Sequence, residues 1–291
     1  MSTIPLDVAP EGLGPSVRHG ARGRVALLVG GALVACVLLA ALVSFAWTPH
    51  DPTFVDAGAR LRGPGAEYWL GTDRFGRDLV SQLMVGARTT VYVGVVAVGV
   101  AALLGVPLGV AAAMAPRWLG ELVMRANDLL LAFPALLLAV MLAAVLGAGT
   151  GVAMIAIGVS TVPAFARVVR AGSMQVLGSE YVLAARAAGR GRLGVAVHHV
   201  LPNVAGLVVV QSSVSFAIAV LAEAALSFLG FGTPPPTPSW GRMLLESQSM
   251  LFTDPRLAVV PAVAVAVAVL GLNLLGDGLR DRFDPRLEGR R

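Results

Sequence analysis

The sequence contains no lysine and only one cysteine, and both features restrict what the chain can do. All 22 residues counted as lysine or arginine are arginines. A nucleotide-binding P-loop needs a lysine to reach the phosphates, so the chain is not a self-contained ATPase of that kind. The single cysteine, Cys36, cannot form an internal disulfide, and it lies in an apolar run where a small residue suits helix packing.

Charge is scarce as well. Only 13% of the residues are charged and 56% are hydrophobic, with a mean hydropathy of +0.79, whereas an ordinary soluble domain has about 25% charged residues. This composition indicates a membrane protein in contact with the lipid bilayer. The net charge is +5, but the arginines are scattered between apolar runs without interleaved aromatic residues, which argues against a nucleic-acid partner.

The polar residues give no sign of catalytic or metal chemistry. The four histidines, His19, His50, His198 and His199, include no pair at the i, i+4 spacing of a helical zinc motif, so we predict no metal site. Ser160 lies in an apolar run, and no histidine falls in any predicted span to activate it as a nucleophile. We therefore predict no catalytic residue.

Uncharged stretches long enough to cross about 30 Å of hydrocarbon define the predicted spans. The 38 uncharged residues from Leu129 to Ala166 are long enough for two crossings, with the glycines at 147–151 forming the turn between them. Together with the other runs they give an all-α, polytopic membrane fold with six transmembrane helices. The other runs are 25–47, 89–115 (with Pro107 as a predicted kink), 204–231 and 257–276.

The arginine distribution predicts the orientation, because arginines in short loops favour the cytoplasmic side. With a cytoplasmic N-terminus the inner segments hold 15 arginines and the outer segments hold 7, matched by 7 acidic residues. The prediction is thus a multi-pass protein of the plasma (inner) membrane with both termini in the cytoplasm. Its parts are a tail (1–24), a first helix (25–47), an outer loop (48–88), a five-helix core (89–276, with a cytoplasmic loop at 171–203) and a second tail (277–291).

The cytoplasmic stretch from Ser179 to Asn203 is unusually polar for this chain. Its alanine-rich part predicts a short exposed helix, which Gly189 and Gly191 end. Leu201-Pro202 then predicts a restart near the next span. Such a helix suits docking on a cytoplasmic partner, but an amphipathic connector lying on the headgroups fits the pattern too.

This stretch resembles the cytoplasmic loop of ABC importer permeases. Ala184, Ala185, Gly189, Leu201 and Pro202 match the motif, whereas Leu183 replaces its leading glutamate. Two further segments, LGTDRFGRD from Leu70 and EAALSFLGFGTPPPTPSWGRML from Glu223, resemble the C-type permease of the dipeptide, oligopeptide and nickel importers.

The resemblance implies a type I ABC importer permease fold and a set of partners. These are a homologous second permease, two ABC ATPases that bind ATP and magnesium, and an extracellular substrate-binding protein; no cofactor is expected in this chain. It also implies that the cytoplasmic loop contacts an ATPase, through Ala184, Ala185, Arg186, Gly189, His199, Leu201 and Pro202.

The two outer motifs have open interpretations. The first is a tight loop that either ties itself together or contacts the binding protein; its residues are Gly71, Thr72, Asp73, Gly76, Arg77 and Asp78. The second is stiffened by prolines and is either an outer gate or docking rim or a plain connector; its residues are Pro234, Pro235, Pro238 and Trp240, the last expected at the outer interface.

Glu223 is the one carboxylate within a predicted span, and a charge inside a membrane suggests a function by default. It either lines the pathway, or it is neutral, or it forms a hydrogen bond between helices near the outer end.

The expected function is a pore subunit, not an enzyme, of an ATP-driven importer of di- or oligopeptides. The alternatives are nickel or another small solute as cargo and, more remotely, a secondary transporter. A secondary transporter is disfavoured because the sequence has no internal repeat and a single intramembrane carboxylate.

Overall fold

The computed structural model describes residues 17–147 and 149–283, and within these ranges the chain is mostly helical and contains no β-strand. The predicted tails, 1–24 and 277–291, lie mainly outside the described residues. The helices are α1 (Val17–Ala46), α2 (Leu79–Met114), α3 (Arg117–Ala132), α4 (Ala135–Leu146), α5 (Thr150–Leu177), α6 (Glu180–Ala187), α7 (Arg192–Val195), α8 (Leu201–Phe228), α9 (Trp240–Ser247) and α10 (Arg256–Phe283).

The number of membrane spans agrees with the sequence prediction. Among the described residues, five helical segments are long and apolar enough to cross a membrane, and α3 and α4 together make a sixth if their bent pair is one span. The bend between α3 and α4 is 81° and falls at Pro134, which lacks the N–H that a continuous helix needs. The glycine turn lies where it was predicted, because α4 ends at Leu146 and α5 begins at Thr150.

Two helices extend beyond the apolar runs that predicted them. α2 begins at Leu79 rather than Thr89, and it includes Arg88, whose guanidinium donates to the Ser44 carbonyl of α1 and lies 4.0 Å from the Phe45 ring centre. α5 continues past Ala166 to Leu177, so residues 171–177 of the predicted loop are helical. Hydropathy marks only the lipid-facing length of a helix, whereas polar turns at either end are stabilised by contacts that the sequence does not reveal.

Close contact between α2 and α5 forms the centre of the bundle, and glycines make it possible. A Cβ added at Gly105 would lie 2.5 Å from the Phe165 Cβ, and one at Gly109 would lie 2.6 Å from the Ala166 carbonyl oxygen. Small residues let membrane helices approach closely enough for van der Waals packing to hold them together.

The remaining long helices pack around this centre. α1 lies along α10, where a Cβ at Gly30 would come within 2.4 Å of the Leu275 backbone nitrogen. α10 in turn packs on α8, and the Ser213 hydroxyl of α8 donates to the Leu272 carbonyl of α10 at 2.8 Å. Because α5 and α8 run in opposite directions, α6 and α9 lie at opposite ends of the bundle. We call these ends the α6 end and the α9 end.

Candidate functional site

The helix α6 is a short element between the ends of two long helices, as the alanine-rich pattern predicts. Ser179 precedes it in an extended conformation and donates its hydroxyl hydrogen to the Val176 carbonyl at 2.6 Å. Glu180 provides an acidic residue in the first turn and Arg186 a basic residue in the last turn, both of which complement the helix dipole.

The end of α6 is fixed by a Schellman motif centred on Gly189. Gly189 has a φ of +86°, a conformation that glycine adopts without steric cost. Its N–H donates to the Arg186 carbonyl, and the N–H of Arg190 donates to the Ala185 carbonyl, each at 3.0 Å. These two bonds satisfy carbonyls that a helix end otherwise leaves free. The chain therefore turns at Gly189, where the sequence motif places the turn.

One side of α6 is anchored and the other is open. Val182 is fully buried and belongs to an apolar cluster with Val195, Val200 and residues of α2, α5 and α8. Tyr181 and Leu183 are 48% and 52% exposed, and Ala184 and Arg186 are exposed beside them. An exposed apolar patch on a short helix that is fixed to the bundle is a suitable contact surface for another protein.

The second half of the predicted loop motif lies on the continuation toward α8. His199 is half-buried, and its ring meets Tyr181 edge-on with the centroids 6.0 Å apart. Leu201 and Pro202 are exposed at the start of α8. The structure thus brings His199 close to α6, and Leu201 and Pro202 lie one turn further along.

The restart predicted at Leu201-Pro202 is wrong, because the helix begins earlier. α7 starts at Arg192, and a π-helical turn from Ala196 to Val200 joins it to α8 without a break. Pro202 has no N–H to donate to the preceding turn, and a wider π turn upstream is a common way to accommodate such a gap. The Leu-Pro pair therefore lies inside a continuous helical segment.

At the α9 end, the loop from Gly71 to Asp78 is folded tightly on itself. Gly71 and Gly76 have φ values of +79° and +81°. The Asp73 carboxylate accepts hydrogen bonds from the backbone N–H of Phe75 at 2.8 Å and of Arg77 at 2.9 Å. The buried Thr72 hydroxyl accepts from the Arg62 N–H at 2.9 Å.

Asp78 connects this loop to the membrane helix that follows. Its buried carboxylate caps α2 by accepting from the Ser81 N–H at 2.8 Å and from the Ser81 hydroxyl at 2.6 Å. Asp and Asn are preferred at this position because they satisfy a helix N–H that has no partner within the helix. The cap sets where α2 begins.

An ion-pair network joins the same loop to α9. Arg77 donates from Nε to Asp73 at 2.7 Å and from Nη2 to Glu246, and all three side chains are at least 85% buried. Glu246 is also paired with Arg242 at 3.0 Å. Burial alone would lower the pKa of Arg77, but attraction to Asp73 and Glu246 outweighs it and the pKa is raised. Arg77 is therefore permanently charged.

The proline-rich loop between α8 and α9 is exposed at its start and buried at its end. Pro234 and Pro235 are exposed, whereas Pro238 is buried and its carbonyl accepts from the Thr89 hydroxyl at 3.0 Å. Trp240 is only 3% exposed, and its indole N–H donates to the Leu83 carbonyl of α2 at 3.0 Å. It packs inside the bundle, where the neighbouring Gly86 leaves room for the indole ring. It does not lie at the outer interface, where it was expected.

Glu223 lies in the last two turns of α8, near the α9 end, and is 1% exposed. Oε1 of Glu223 accepts a hydrogen bond from the Ser227 hydroxyl at 2.7 Å. Ser227 in turn accepts from the backbone N–H of Thr233 at 3.1 Å, so the carboxylate is linked to the proline-rich loop. The bond to Ser227 lies within α8, whereas the last role weighed for Glu223 was a hydrogen bond between helices.

Several residues that hold these sites together carry no signal in the sequence. Glu246 is 169 positions from its partner Arg77. Gln82 donates to Asp73 at 3.1 Å, and Arg256 donates to the Leu70 carbonyl at 2.9 Å. Their roles depend on chain segments that meet only in the folded bundle, so no local pattern reveals them.

These features define a polytopic, helical membrane protein with a short exposed helix at one end and a tightly ordered loop at the other. The chain belongs to the family described as binding-protein-dependent transport system inner membrane component, which matches residues 105–289. It is thus a permease of the ABC importer class, and it works together with other components of such a system.

Similar proteins from several bacteria cover nearly the whole chain. The dipeptide transport system permease protein DppC of Alkalihalophilus pseudofirmus is 38% identical over 90% of this chain and 86% of its own length. The glutathione transport system permease protein GsiD of Salmonella typhimurium is 38% identical over 94% and 90%. The di/tripeptide transport system permease protein DppC of Pseudomonas aeruginosa is 40% identical over 88% and 85%.

Proposed function

We propose that this chain is the pore subunit that carries di- or oligopeptides inward across the plasma membrane, driven by ATP hydrolysis on separate subunits. The observation that carries the proposal is α6, an exposed helix fixed to the bundle by Val182 and ended by Gly189. Movement of a partner that binds α6 is passed to the bundle, because short turns join α6 to α5 and to the continuous helical segment of α7 and α8.

The orientation follows from the arginines of the sequence. The α6 end holds Arg186, Arg190 and Arg192 in a short connection, which places it in the cytoplasm by the positive-inside rule. The ATPases are cytoplasmic in this proposal, the α9 end faces outward, and both termini lie inside the cell.

Three kinds of partner complete the transporter. Two ABC ATPases bind ATP and magnesium, so this chain needs no cofactor of its own. A homologous second permease forms the other half of the pore. An extracellular binding protein delivers cargo to the α9 end, where Pro234 and Pro235 are exposed and the network of Arg77 and Glu246 keeps the neighbouring surface rigid.

In the proposed mechanism, ATP binding closes the two ATPases and shifts the subunit that contacts α6. Nucleotide favours one state of the permease only if it makes different contacts in the two states, and α6 is where those contacts change. Tyr181, Leu183 and Ala184 supply the apolar contact surface. Leu183, which replaces the glutamate of the family motif, makes this contact by burial rather than by an ion pair.

The peptide assignment rests on the relatives, whose names specify dipeptide, di/tripeptide and glutathione transport. All of these cargoes are short peptides. The described residues of this chain include no site that measures peptide length, so we assign cargo selection mainly to the binding protein.

The test is uptake of a labelled pool of di- and oligopeptides into proteoliposomes that contain this chain with its copurified partners and binding protein. We expect uptake that requires both ATP and this chain. Uptake of nickel without peptides would retain the architecture and overturn the cargo. Uptake that follows an ion gradient and ignores ATP would overturn the transporter class.

A further inference from the structure

A group of arginines surrounds the corner where α2 meets α3, and neither the pore nor α6 accounts for it. We call it the corner cluster; it consists of Arg117, Arg125, Arg170 and Arg192. Arg192 donates from Nη2 to the Met114 carbonyl at the end of α2. Arg170 reaches over from α5, and a Cβ added at Gly120 of α3 would lie 3.6 Å from its Nη2.

The corner cluster has little negative charge to balance it. Glu121 is paired with Arg117 at 2.9 Å, and Arg125 and Arg170 also lie close enough to act on its charge. Four arginines against this one carboxylate leave a formal excess of three positive charges. Asp128, the other acidic residue of α3, is engaged by Arg167 at 2.6 Å.

One donor in the cluster is left without an acceptor. The Nε atom of Arg170 is buried and has no hydrogen-bond partner among the described residues. Buried N–H groups are nearly always paired, because an unpaired one loses its hydration without compensation. An acceptor from outside the chain cannot reach this buried atom, and it would meet Arg170 at the terminal nitrogens of the guanidinium instead.

The outer face of α3 combines Arg125 of the cluster with exposed apolar groups. Trp118, Leu122 and Leu129 are 68%, 57% and 70% exposed. With Arg125 they lie at positions i, i+4, i+7 and i+11, which share one face of a helix. Gly120, the buried residue nearest the corner, lies on the opposite face. Tryptophan beside arginine at the end of a membrane helix is typical of the headgroup region.

We propose that the corner cluster binds the anionic headgroup of a membrane phospholipid, with Trp118 and Leu122 against the lipid chains. A phosphate offers several acceptor oxygens, which suit the fork of an arginine side chain. Basic residues next to a membrane helix attract anionic lipid. A soluble ligand would leave the apolar side chains of the same face exposed to water, whereas lipid chains bury them. The proposal rests on the proposed function, in which the chain spans a membrane with the α6 end in the cytoplasm.

The test measures which lipid touches Trp118. The full chain, with any subunits that copurify, is placed in vesicles containing either brominated phosphatidylglycerol or brominated phosphatidylcholine at the same mole fraction. The Trp118 signal is the fluorescence of the native chain minus that of Trp118→Phe. We expect preferential quenching by the anionic lipid, and a loss of about fivefold in that preference in Arg125→Gln or Arg170→Gln. Arg186→Gln, on exposed α6, is the matched control and leaves the preference unchanged.

Three results would overturn the proposal. Equal quenching by both lipids would mean that the cluster has no lipid preference. Loss of the preference on adding millimolar inorganic phosphate would mean that the site takes a free anion instead. Weak quenching of Trp118 by either lipid would mean that protein covers the face. Because Arg125 is exposed, its variant retains the fold, and because no transport is measured, failure here is distinct from failure of the cargo assignment.

Discussion

Replacing Gly189 by alanine tests whether the end of α6 must be rigid for transport. The residue has a φ of +86°, and no atom lies within 4 Å of the position that a new Cβ would take. The methyl group therefore meets no neighbour, and the whole effect comes from the backbone conformation. A non-glycine residue in the left-handed region costs about 1–2 kcal/mol.

Gly191, in the same loop, provides a control for the added methyl group. Gly191 is also exposed with open space around it, but its φ is −66°, which alanine adopts freely. Gly191→Ala therefore gives the effect of an added methyl group without the strain. A cost of about 1–2 kcal/mol at Gly189 corresponds to a local opening equilibrium raised by about 5- to 30-fold.

Hydrogen exchange of backbone amides measures the local opening equilibrium directly. In the Gly189→Ala chain we expect the amides of residues 189 and 190, which in the native chain donate to Arg186 and Ala185, to exchange about 5- to 30-fold faster. We also expect ATP-driven uptake to fall. In Gly191→Ala both remain at the native level. Loss of protection without any loss of uptake would refute the argument that a rigid α6 transmits the movement of the ATPase.

Three further substitutions probe the bundle and its α9 end. Arg77→Gln removes the cation that pairs with Asp73 and leaves Glu246 paired with Arg242 alone, and we expect a loss of about 1–3 kcal/mol, seen as a lower midpoint of thermal unfolding; an unchanged midpoint would contradict the network. Gly109→Ala would put a Cβ 2.6 Å from a carbonyl of α5 and is expected to cost about 1–3 kcal/mol, whereas Gly99→Ala, with open space around it, is expected to leave stability unchanged or raise it by up to about 1 kcal/mol. Glu223→Gln keeps an oxygen that accepts from the Ser227 hydroxyl, so uptake should persist, and abolished uptake would instead indicate that a charge is needed in the pathway.

The helices were largely predictable because each membrane span requires a long run of apolar residues, which is visible in the sequence. Long apolar runs must be helical in lipid, where every backbone polar group needs a partner. The turn at Gly147 and the end of α6 at Gly189 were predictable for the same kind of reason, since glycine marks positions that other residues cannot easily occupy.

The errors arose where distant contacts decide the structure. Trp240 was expected at the outer interface from its residue type. It lies inside the bundle because its indole N–H donates to the Leu83 carbonyl and Gly86 leaves space for its ring. The restart at Pro202 was expected from local sequence, but a π turn carries the helix through. Glu246 was not recognised as the partner of Arg77 because nothing in the sequence indicates that α9 folds back on the outer loop.

The most direct test of the account is a crosslink from α6 to an ATPase. In a chain in which Cys36, the single cysteine, is replaced by alanine, Leu183→Cys places a thiol on the exposed side of α6. With a short thiol-reactive crosslinker and the copurified complex, we predict a covalent adduct with an ATPase subunit whose yield changes on adding ATP. The assignment of α6 as the coupling helix would be contradicted if no adduct with an ATPase formed in any nucleotide state and the thiol reacted only with reagents dissolved in the lipid.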